Sequence, residues 1–488
     1  MPAPRTKLVA IPEALPVQPP SRRCLAAVTL VVGFLAGPLA AEPPPRPNLV
    51  VILADDLGVG DVACLNPDHG RIATPHLDRL AREGVTFTDA HSGSSICTPT
   101  RYGLLTGRYA WRTRLGHGVL KDPSCPPLIA ADRLTLPAFL RDHGYATACI
   151  GKWHLGFQIE GEGLAARTAD GPLTRGFDAF VGFTYSRDMG RLFEGDRVIQ
   201  TLEPVEMLPL LAARAAATIA DEAAAGRPFF LYLALNSPHT PIAPAAAWQG
   251  KSGLGDYADF VMQTDAAVGE VLAAIDAAGI TDDTLVLFAS DNGCSPEAKP
   301  AALARKGHRV SGAYRGLKSD IWEGGHRVPC FARLPGRAAP GTVCDRLICL
   351  TDVMPTLAEL IGAALPDDAA EDGVSFLPTL RGEPQPPRSP VVHHSAKGRF
   401  AIRDGRWKLC LCPGSGGWSQ PTDGKATQTG LPAVQLYDLA ADAAEKTNLA
   451  TARPDVVDRL TATLEGFVAK GRSTPGPRRP NDRPVAFR

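Results

Sequence analysis

The sequence carries no excess of charge of either sign: 51 lysines and arginines balance 51 aspartates and glutamates. No overall field therefore draws the chain to nucleic acid or to an acidic membrane, and any preference for anions must be built locally. Long apolar runs are also scarce. The one candidate, from about Cys24 to Ala41, is too short and too poorly flanked for a membrane span. It follows Arg22 and Arg23 and ends in Leu39-Ala40-Ala41 before Pro43-Pro44-Pro45, the layout of a cleaved signal peptide over residues 1–41. That predicts an exported protein, periplasmic or extracellular, with no stable membrane insertion after cleavage. Internal repeats are absent. Eleven cysteines are present, but their spacing does not resemble a zinc site. With Cys24 in the leader and Cys97 set aside for the chemistry below, an odd number remains, so at least one thiol stays unpaired. Some disulfides are expected among the others of an exported protein.

What is present is an alternation of buried strands and helices. Asn48 to Ala54 is a continuous apolar run rich in β-branched residues, as in a strand covered on both faces. Thr74-Pro75 opens a helix that Gly84 closes. A second helix starts near Pro99. Leu136–Asp142 is a short helix feeding a strand at 146–150, and 229–235 is another buried strand. A long helix at 257–278 precedes a strand at 284–289. This order predicts an α/β fold with a mostly parallel sheet flanked by helices over about 46–380. A proline-rich linker near 380–390 precedes a smaller α+β part over 390–470. There two alternating segments, 399–402 and 407–411, read as a hairpin of an antiparallel sheet around Asp404-Gly405, with a helix near 456–467. Residues 473–488 are expected to be a loose tail.

Three clusters carry chemistry. Asp55-Asp56 directly follows the first strand, and Asp291-Asn292-Gly293 directly follows the strand ending at Ala289. Open α/β sheets bind ligands at the carboxyl ends of their strands. Three carboxylates and an amide gathered there call for a hard cation, Ca²⁺ or Mg²⁺. Taken singly, each motif also suits an ordinary turn. The third cluster is Cys97-Thr-Pro-Thr-Arg101. Pro99 near the first helical turn puts Cys97 at a helix N-terminus, where unpaired N–H groups favour an anion. Arg101, four residues on, shares its face. A bare Cys-x₃-Arg would suit packing equally well.

The extended segment Cys97-Thr-Pro-Thr-Arg101-Tyr-Gly-Leu-Leu-Thr-Gly107 resembles the signature of the formylglycine-dependent, arylsulfatase-like sulfatases. The resemblance covers nearly the whole mature chain. It includes Leu53-Ala-Asp-Asp56, Gly151-Lys-Trp-His-Leu-Gly156, Ser237-Pro-His-Thr-Pro241, Ser290-Asp-Asn-Gly293, Arg315-Gly-Leu-Lys-Ser319 and, near the end, Leu436-Tyr-Asp-Leu439. It implies an alkaline-phosphatase-like fold and hydrolysis of a sulfate ester. It implies that a maturation enzyme converts Cys97 to Cα-formylglycine, and that Asp55, Asp56, Asp291 and Asn292 hold one Ca²⁺ together with residue 97. Arg101 then steadies the attacking hydroxyl, and Lys152 contacts the sulfate. His154 is the base for the second hydroxyl of the aldehyde hydrate. His239 and Lys318 serve the leaving group, and Ser186 touches the active-site residue. Thr100 stands where many members have serine, and Arg187 where many have histidine. His308, Arg309, Trp322 and His326, near the Lys318 motif, are further candidates for the pocket wall.

The expected substrate is a small-molecule or glycan sulfate ester, a sulfated carbohydrate ahead of a simple aryl sulfate. The rival readings are a phosphomonoester, phosphodiester or phosphonate hydrolase on the same fold, and a non-catalytic anion- or glycan-binding homologue. A two-metal phosphatase would need further Asp/His ligands, and the sequence offers no obvious second set.

Overall fold

In the computed structural model, which describes residues 46–122 and 124–487, the run Asn48–Asp55 is a strand (β1) buried at every position. Its residues are apolar on both faces because it lies deep in a twelve-stranded sheet with helices on either side. Around it lie β2 (Ala146–Lys152), β3 (Phe229–Pro238) and β4 (Thr284–Ser290). β1 pairs in parallel with β3 on one side and β4 on the other, and β3 pairs in parallel with β2. Antiparallel pairing takes over beyond β4, where β5 (Cys330–Arg333) runs against it.

The parallel register makes β1, β2, β3 and β4 end together. Asp55 is the last residue of β1, Lys152 of β2, Pro238 of β3 and Ser290 of β4. The residues that leave this edge are the charged ones. Gly151 is forced at this point: its φ is +109°, and a Cβ there would lie 1.9 Å from the Ala234 carbonyl oxygen on β3.

Helix α1 (Cys97–Thr106) is buried on all sides. Pro99 sits in its first turn, and Gly107, at φ +63°, ends it by donating to the Gly103 carbonyl. The long helix predicted at 257–278 is α3 (Asp256–Ala277). It packs against α2 (Pro204–Ala225), which the periodicity did not disclose.

A four-stranded antiparallel sheet follows, built from β6 (Val391–His394), β7 (Phe400–Asp404), β8 (Trp407–Cys410) and β9 (Gln435–Asp438). The expected hairpin is β7–β8, and α4 (Pro454–Lys470) covers the sheet with Val456, Leu460 and Leu464. Described residues of both sheets belong to one compact unit.

Two findings differ from the sequence reading. Residues 473–487 are not loose. Asp482 pairs with Arg108 at 2.9 Å, Asn481 accepts from Arg112 at 2.9 Å, and Phe487 packs edge-on to Phe400. The tail supplies partners for two arginines that α1 and the turn after it leave buried. The ten described cysteines are all free thiols rather than partly paired. Most are core residues, and Cys410 and Cys412 pack with Ile321, Trp322 and Tyr437. No described helix is long and apolar enough to cross a membrane. The signal-peptide expectation, with Cys24, lies outside the described residues.

Candidate active site

Two adjacent aspartates leave β1 in different directions. Asp55 is still in the strand, whereas Asp56 turns to φ +66°. This left-handed conformation costs a non-glycine residue energy and is kept only where the surroundings enforce it. They do so here: the Asp56 N–H donates to Asp291 Oδ1 at 3.2 Å, and Asp56 Oδ1 accepts from Asn292 Nδ2 at 2.8 Å. Asp291 is placed in turn by its own N–H, which donates to the Ala54 carbonyl at 3.0 Å. The ends of neighbouring strands β1 and β4 are thus stitched together through their functional residues.

Every charged member of this cluster is out of solvent. Lys152 Nζ lies 2.6 Å from Asp55 Oδ2, and Lys318 Nζ lies 2.7 Å from both Asp56 oxygens. Arg101 reaches from α1 to Asp291 Oδ2 at 2.7 Å and to Asp55 Oδ1 at 3.4 Å, and donates to the Lys152 carbonyl at 3.1 Å. His239 Nε2 is 3.5 Å from Asp56 Oδ2. Ser186 Oγ donates to Asp55 Oδ2 at 3.4 Å.

Burial works against the charge on Asp55, but Lys152, His239, Arg101 and Lys318 outweigh it and hold the carboxyl well below its usual range. For Asp291, burial and the Asp55 charge prevail, and its carboxyl is pushed up. Arg101, Lys152 and Lys318 match the three carboxylates in number, but burial leaves Asp291 the one whose negative charge is least supported. Asp55 Oδ1 and Asn292 Oδ1 are buried without a hydrogen-bond partner, which normally marks a missing ligand or ion. Ligand atoms of Asp55, Asp56, Cys97 and His239 lie within 4.8 Å of one another. Hard oxygen donors, a buried carboxylate whose charge is poorly supported and two orphaned oxygens together fit a hard divalent cation.

Cys97 stands over this cluster as the first residue of α1 and is 3% exposed. Burial pushes its thiol up to about 12 in spite of Lys152 and Lys318. As a thiol it stays protonated at neutral pH and is a poor nucleophile.

His154 and His239 face the same space with opposite ring nitrogens. His154, at φ +55°, is anchored by its N–H to the Thr184 carbonyl, and its Nε2 bonds the Leu120 carbonyl at 2.9 Å. Its Nδ1 is buried and unpartnered, and burial with the Lys152 charge holds the ring neutral, well below its usual range. His239 uses Nδ1 on the Thr240 carbonyl at 2.6 Å, which leaves Nε2 toward Asp56; burial lowers this ring too.

Cys97, Lys152, His154, Ser186, His239 and Lys318 line one cavity of about 670 Å³. Asp55, Asp56, Arg101, Asp291 and Asn292 lie in contact beneath it. All eleven residues singled out in the sequence thus meet at one place. The second group does not join them. His308 is bonded to Asp61 at 2.8 Å, Trp322 lies under the Arg315 guanidinium, and Arg309 opens on another surface depression. His326 belongs to a buried cluster, stacked on His393 at 3.9 Å and 3.0 Å from His91 between Nδ1 atoms. The sequence reading missed Tyr185, stacked on His154 at 5.6 Å, and the rim residues Lys121, Lys397 and Trp418. Tyr185 adjoins Ser186, but no motif announces the other three, because they arrive on loops from distant segments.

Comparison with known proteins agrees with this arrangement. The profile of the family described as Sulfatase matches residues 47–363. Arylsulfatase A of Bos taurus is 36% identical over 458 residues, with 86% of each chain covered. An N-acetylgalactosamine-6-O-sulfatase of Bacteroides thetaiotaomicron is 31% identical over 495 residues, covering 86% of this chain and 93% of the relative. Among solved structures, a Bacteroides thetaiotaomicron protein described under metabolism of multiple glycosaminoglycans superposes with a TM-score of 0.78 at 28% identity. That match covers 86% of this chain and 99% of the other. A phosphonate monoester hydrolase of Silicibacter pomeroyi, at 21% identity and a TM-score of 0.61, shares the alkaline-phosphatase-like fold.

Proposed function

The chain belongs to the sulfatase family, a family of sulfuric ester hydrolases, and on that premise we propose that it hydrolyses the sulfate ester of a carbohydrate after Cys97 is oxidised to Cα-formylglycine. Aryl sulfates serve as activated surrogates. One Ca²⁺ would be held by Asp55, Asp56, Asp291 and Asn292 with residue 97, and a maturation enzyme would act on the Cys97-Thr-Pro-Thr-Arg101 segment. We place the protein outside the cytoplasm because the sequence of residues 1–41 has the layout of a cleaved signal peptide. The observation that carries the reading is a buried, protonated Cys97 at the mouth of a carboxylate cluster, with two lysines and two histidines around the floor of one cavity.

As a formylglycine hydrate, residue 97 supplies one hydroxyl to attack sulfur and a second on the same carbon to expel the sulfate, while the cation offsets charge on the carboxylates and sulfate oxygens. The chain's own residues do the rest. Lys152 and Lys318 bring two ammonium groups against the sulfate oxygens, whose charge grows in the transition state. Arg101, bound to Asp291 and to the Lys152 carbonyl, fixes the distance between α1 and the carboxylates. His154 keeps Nδ1 free to accept a proton because Nε2–H is committed to Leu120. His239 keeps Nε2 as the exchangeable site because Nδ1–H is committed to Thr240. Lys318, kept charged by Asp56, carries the proton for the departing alcohol, and His239 can share that role only after Nε2 has taken up a proton beside Asp56.

Two measurements test this. The mass of the peptide containing residue 97, from protein made in its native host, should show an aldehyde; an unmodified thiol in active protein overturns the mechanism. The sulfate and phosphate esters of one phenol should be turned over with a clear preference for sulfate; preferential phosphate turnover overturns the function.

A further inference from the structure

The cavity above Cys97 carries more positive charge than one sulfate group uses. Lys152 and Lys318 occupy its floor with Asp55 and Asp56. Three further cations, Lys121, Arg187 and Lys397, line the same cavity and are exposed. None of the three forms an ion pair or hydrogen bond with the described protein. The only carboxylate among the lining residues is Glu297, which is bonded to Ser295. The sulfate ester of a neutral alcohol would leave these three cations with nothing to face.

Beside them stands Trp418, 49% exposed, without a ring or cation partner among the described residues. Its backbone is not loose. The Trp418 N–H donates to Ser319 Oγ and to Asp320 Oδ1, both at 3.0 Å, and the Ser419 N–H donates to the same Asp320 oxygen at 3.0 Å. Ser319, held at φ +81°, also accepts the Ala396 N–H at 3.1 Å on its carbonyl, next to Lys397. Trp418 and Lys397 therefore hang on the residue that follows Lys318, the lysine assigned to the leaving group. A fixed indole, open to solvent and rimmed by unpaired cations, lies on the leaving-group side of the site.

We propose that Trp418, with Lys121, Arg187 and Lys397, is the specificity platform for the leaving group, and that this group is a carbohydrate carrying a second anion beside the hydrolysed sulfate. The proposal rests on the sulfatase reading of the same cavity. An indole face takes the C–H face of a sugar ring, and Arg and Lys at the rim take a carboxylate or second sulfate. A sterol would need a broad apolar wall and would gain nothing from three free cations. The volume suits a ligand well beyond a bare sulfate.

The test compares three substrates on protein whose residue-97 aldehyde has been verified by mass. They are 4-nitrophenyl sulfate, a monosulfated N-acetylhexosamine, and the same sulfated sugar joined to a uronic acid. The wild type should prefer the uronic acid disaccharide over the neutral monosulfate, and that preference should shrink with added salt. Trp418→Ala and the double change Arg187→Ala/Lys397→Ala should cut kcat/KM for the disaccharide by about tenfold or more, mainly through KM, and change 4-nitrophenyl sulfate turnover by less than about threefold. Trp418→Phe should restore much of the loss. Equal losses on all three substrates, or no preference for the second anion, overturn the platform while leaving sulfatase activity standing. A matured wild type inert toward every sulfate ester overturns the sulfatase reading and the platform with it.

Discussion

Arg101 and Asp291 meet at 2.7 Å with neither side chain exposed, one from the helix that Cys97 begins and the other from the strand end beside β1. The same guanidinium holds Asp55 and the Lys152 carbonyl. A planar fork of donors can serve three acceptors at once, and an ammonium group cannot. Arg101→Lys is therefore expected to lower kcat/KM on an aryl sulfate by about 100-fold. The aldehyde content of residue 97 must be measured alongside, because Arg101 also belongs to the maturation segment. A fully matured, near-wild-type variant would contradict the positioning role.

Removing divalent cations should abolish turnover and loosen the fold together. Asp55, Asp56 and Asp291 are essentially unexposed, and burial with the Asp55 charge leaves Asp291 poorly supported as a carboxylate in spite of Arg101. A ligand that binds the folded state alone adds about 2.7 kcal/mol at a free concentration 100 times its Kd. Exhaustive chelation should lower Tm by several degrees, and Ca²⁺ should restore both Tm and activity. Indifference of both readouts to chelation would remove the cation from the account.

His239 and Lys318 are assigned to the leaving group, so their loss should depend on what leaves. His239→Ala and Lys318→Ala should cost roughly 10²- to 10⁴-fold on an alkyl or sugar sulfate, and much less on 4-nitrophenyl sulfate, whose alcohol needs little protonation. A uniform loss across leaving groups would assign both residues to the sulfate instead.

Lys408 on β8 is entirely buried between Glu323 at 3.0 Å and Glu445 at 2.9 Å. It is held charged by these two carboxylates against the cost of burial. Lys408→Met should destabilise the protein by about 3–5 kcal/mol, because it strands the buried Glu445 and leaves Glu323 to Arg327 and Arg403. Adding Glu323→Gln and Glu445→Gln should recover part of the loss. Equilibrium unfolding in urea reads both effects.

Asp265 on α3 accepts the N–H groups of Leu77 and His76 at 2.8 and 3.1 Å, and burial pushes its carboxyl up to about 7. The folded state then binds a proton more tightly than the unfolded chain. Stability from this group increases as pH falls from about 7 toward about 4, and is lost as pH rises through that window. Measured against Asp265→Asn, the wild type should gain relative stability over that range, by at most about 1.4 kcal/mol per pH unit. A flat difference would mean that the two N–H donors keep the carboxylate ionised.

The strands and the site were legible for one physical reason. β1, β2, β3 and β4 are covered on both faces, so each reads as an apolar run, and the charged residues closing those runs are the ones the parallel register brings together. Helix α2 escaped notice because alanine fills it on all sides and Pro209 interrupts its period. The Glu323–Lys408–Glu445 cluster and the stacked His326 and His393 join segments far apart in sequence, and spacing carries no trace of such contacts. Four residues near the Lys318 motif, His308, Arg309, Trp322 and His326, were placed at the pocket by proximity along the chain alone. His308 instead bonds Asp61, Arg309 opens on another depression, Trp322 lies under Arg315 and His326 stacks on His393. The tail misled for the reverse reason, since its prolines and arginines look solvated until Arg108 and Arg112 supply somewhere to dock.

The parallel order of the sheet also imposes a timetable. β1 cannot be enclosed until β3 and β4 exist, and β4 spans residues 284–290, synthesised long after residue 97. At about 5–20 residues per second, on the order of ten seconds or more separate the emergence of Cys97 from that of the strand that completes its floor. On the proposed maturation of Cys97, an oxidising enzyme that needs an extended peptide would have that interval to work in. Afterwards the side chain is 3% exposed and shut beneath the cavity. On that proposal, a chain that folds before being oxidised would be committed to remaining a thiol, and the active fraction of a preparation would record a race between two rates.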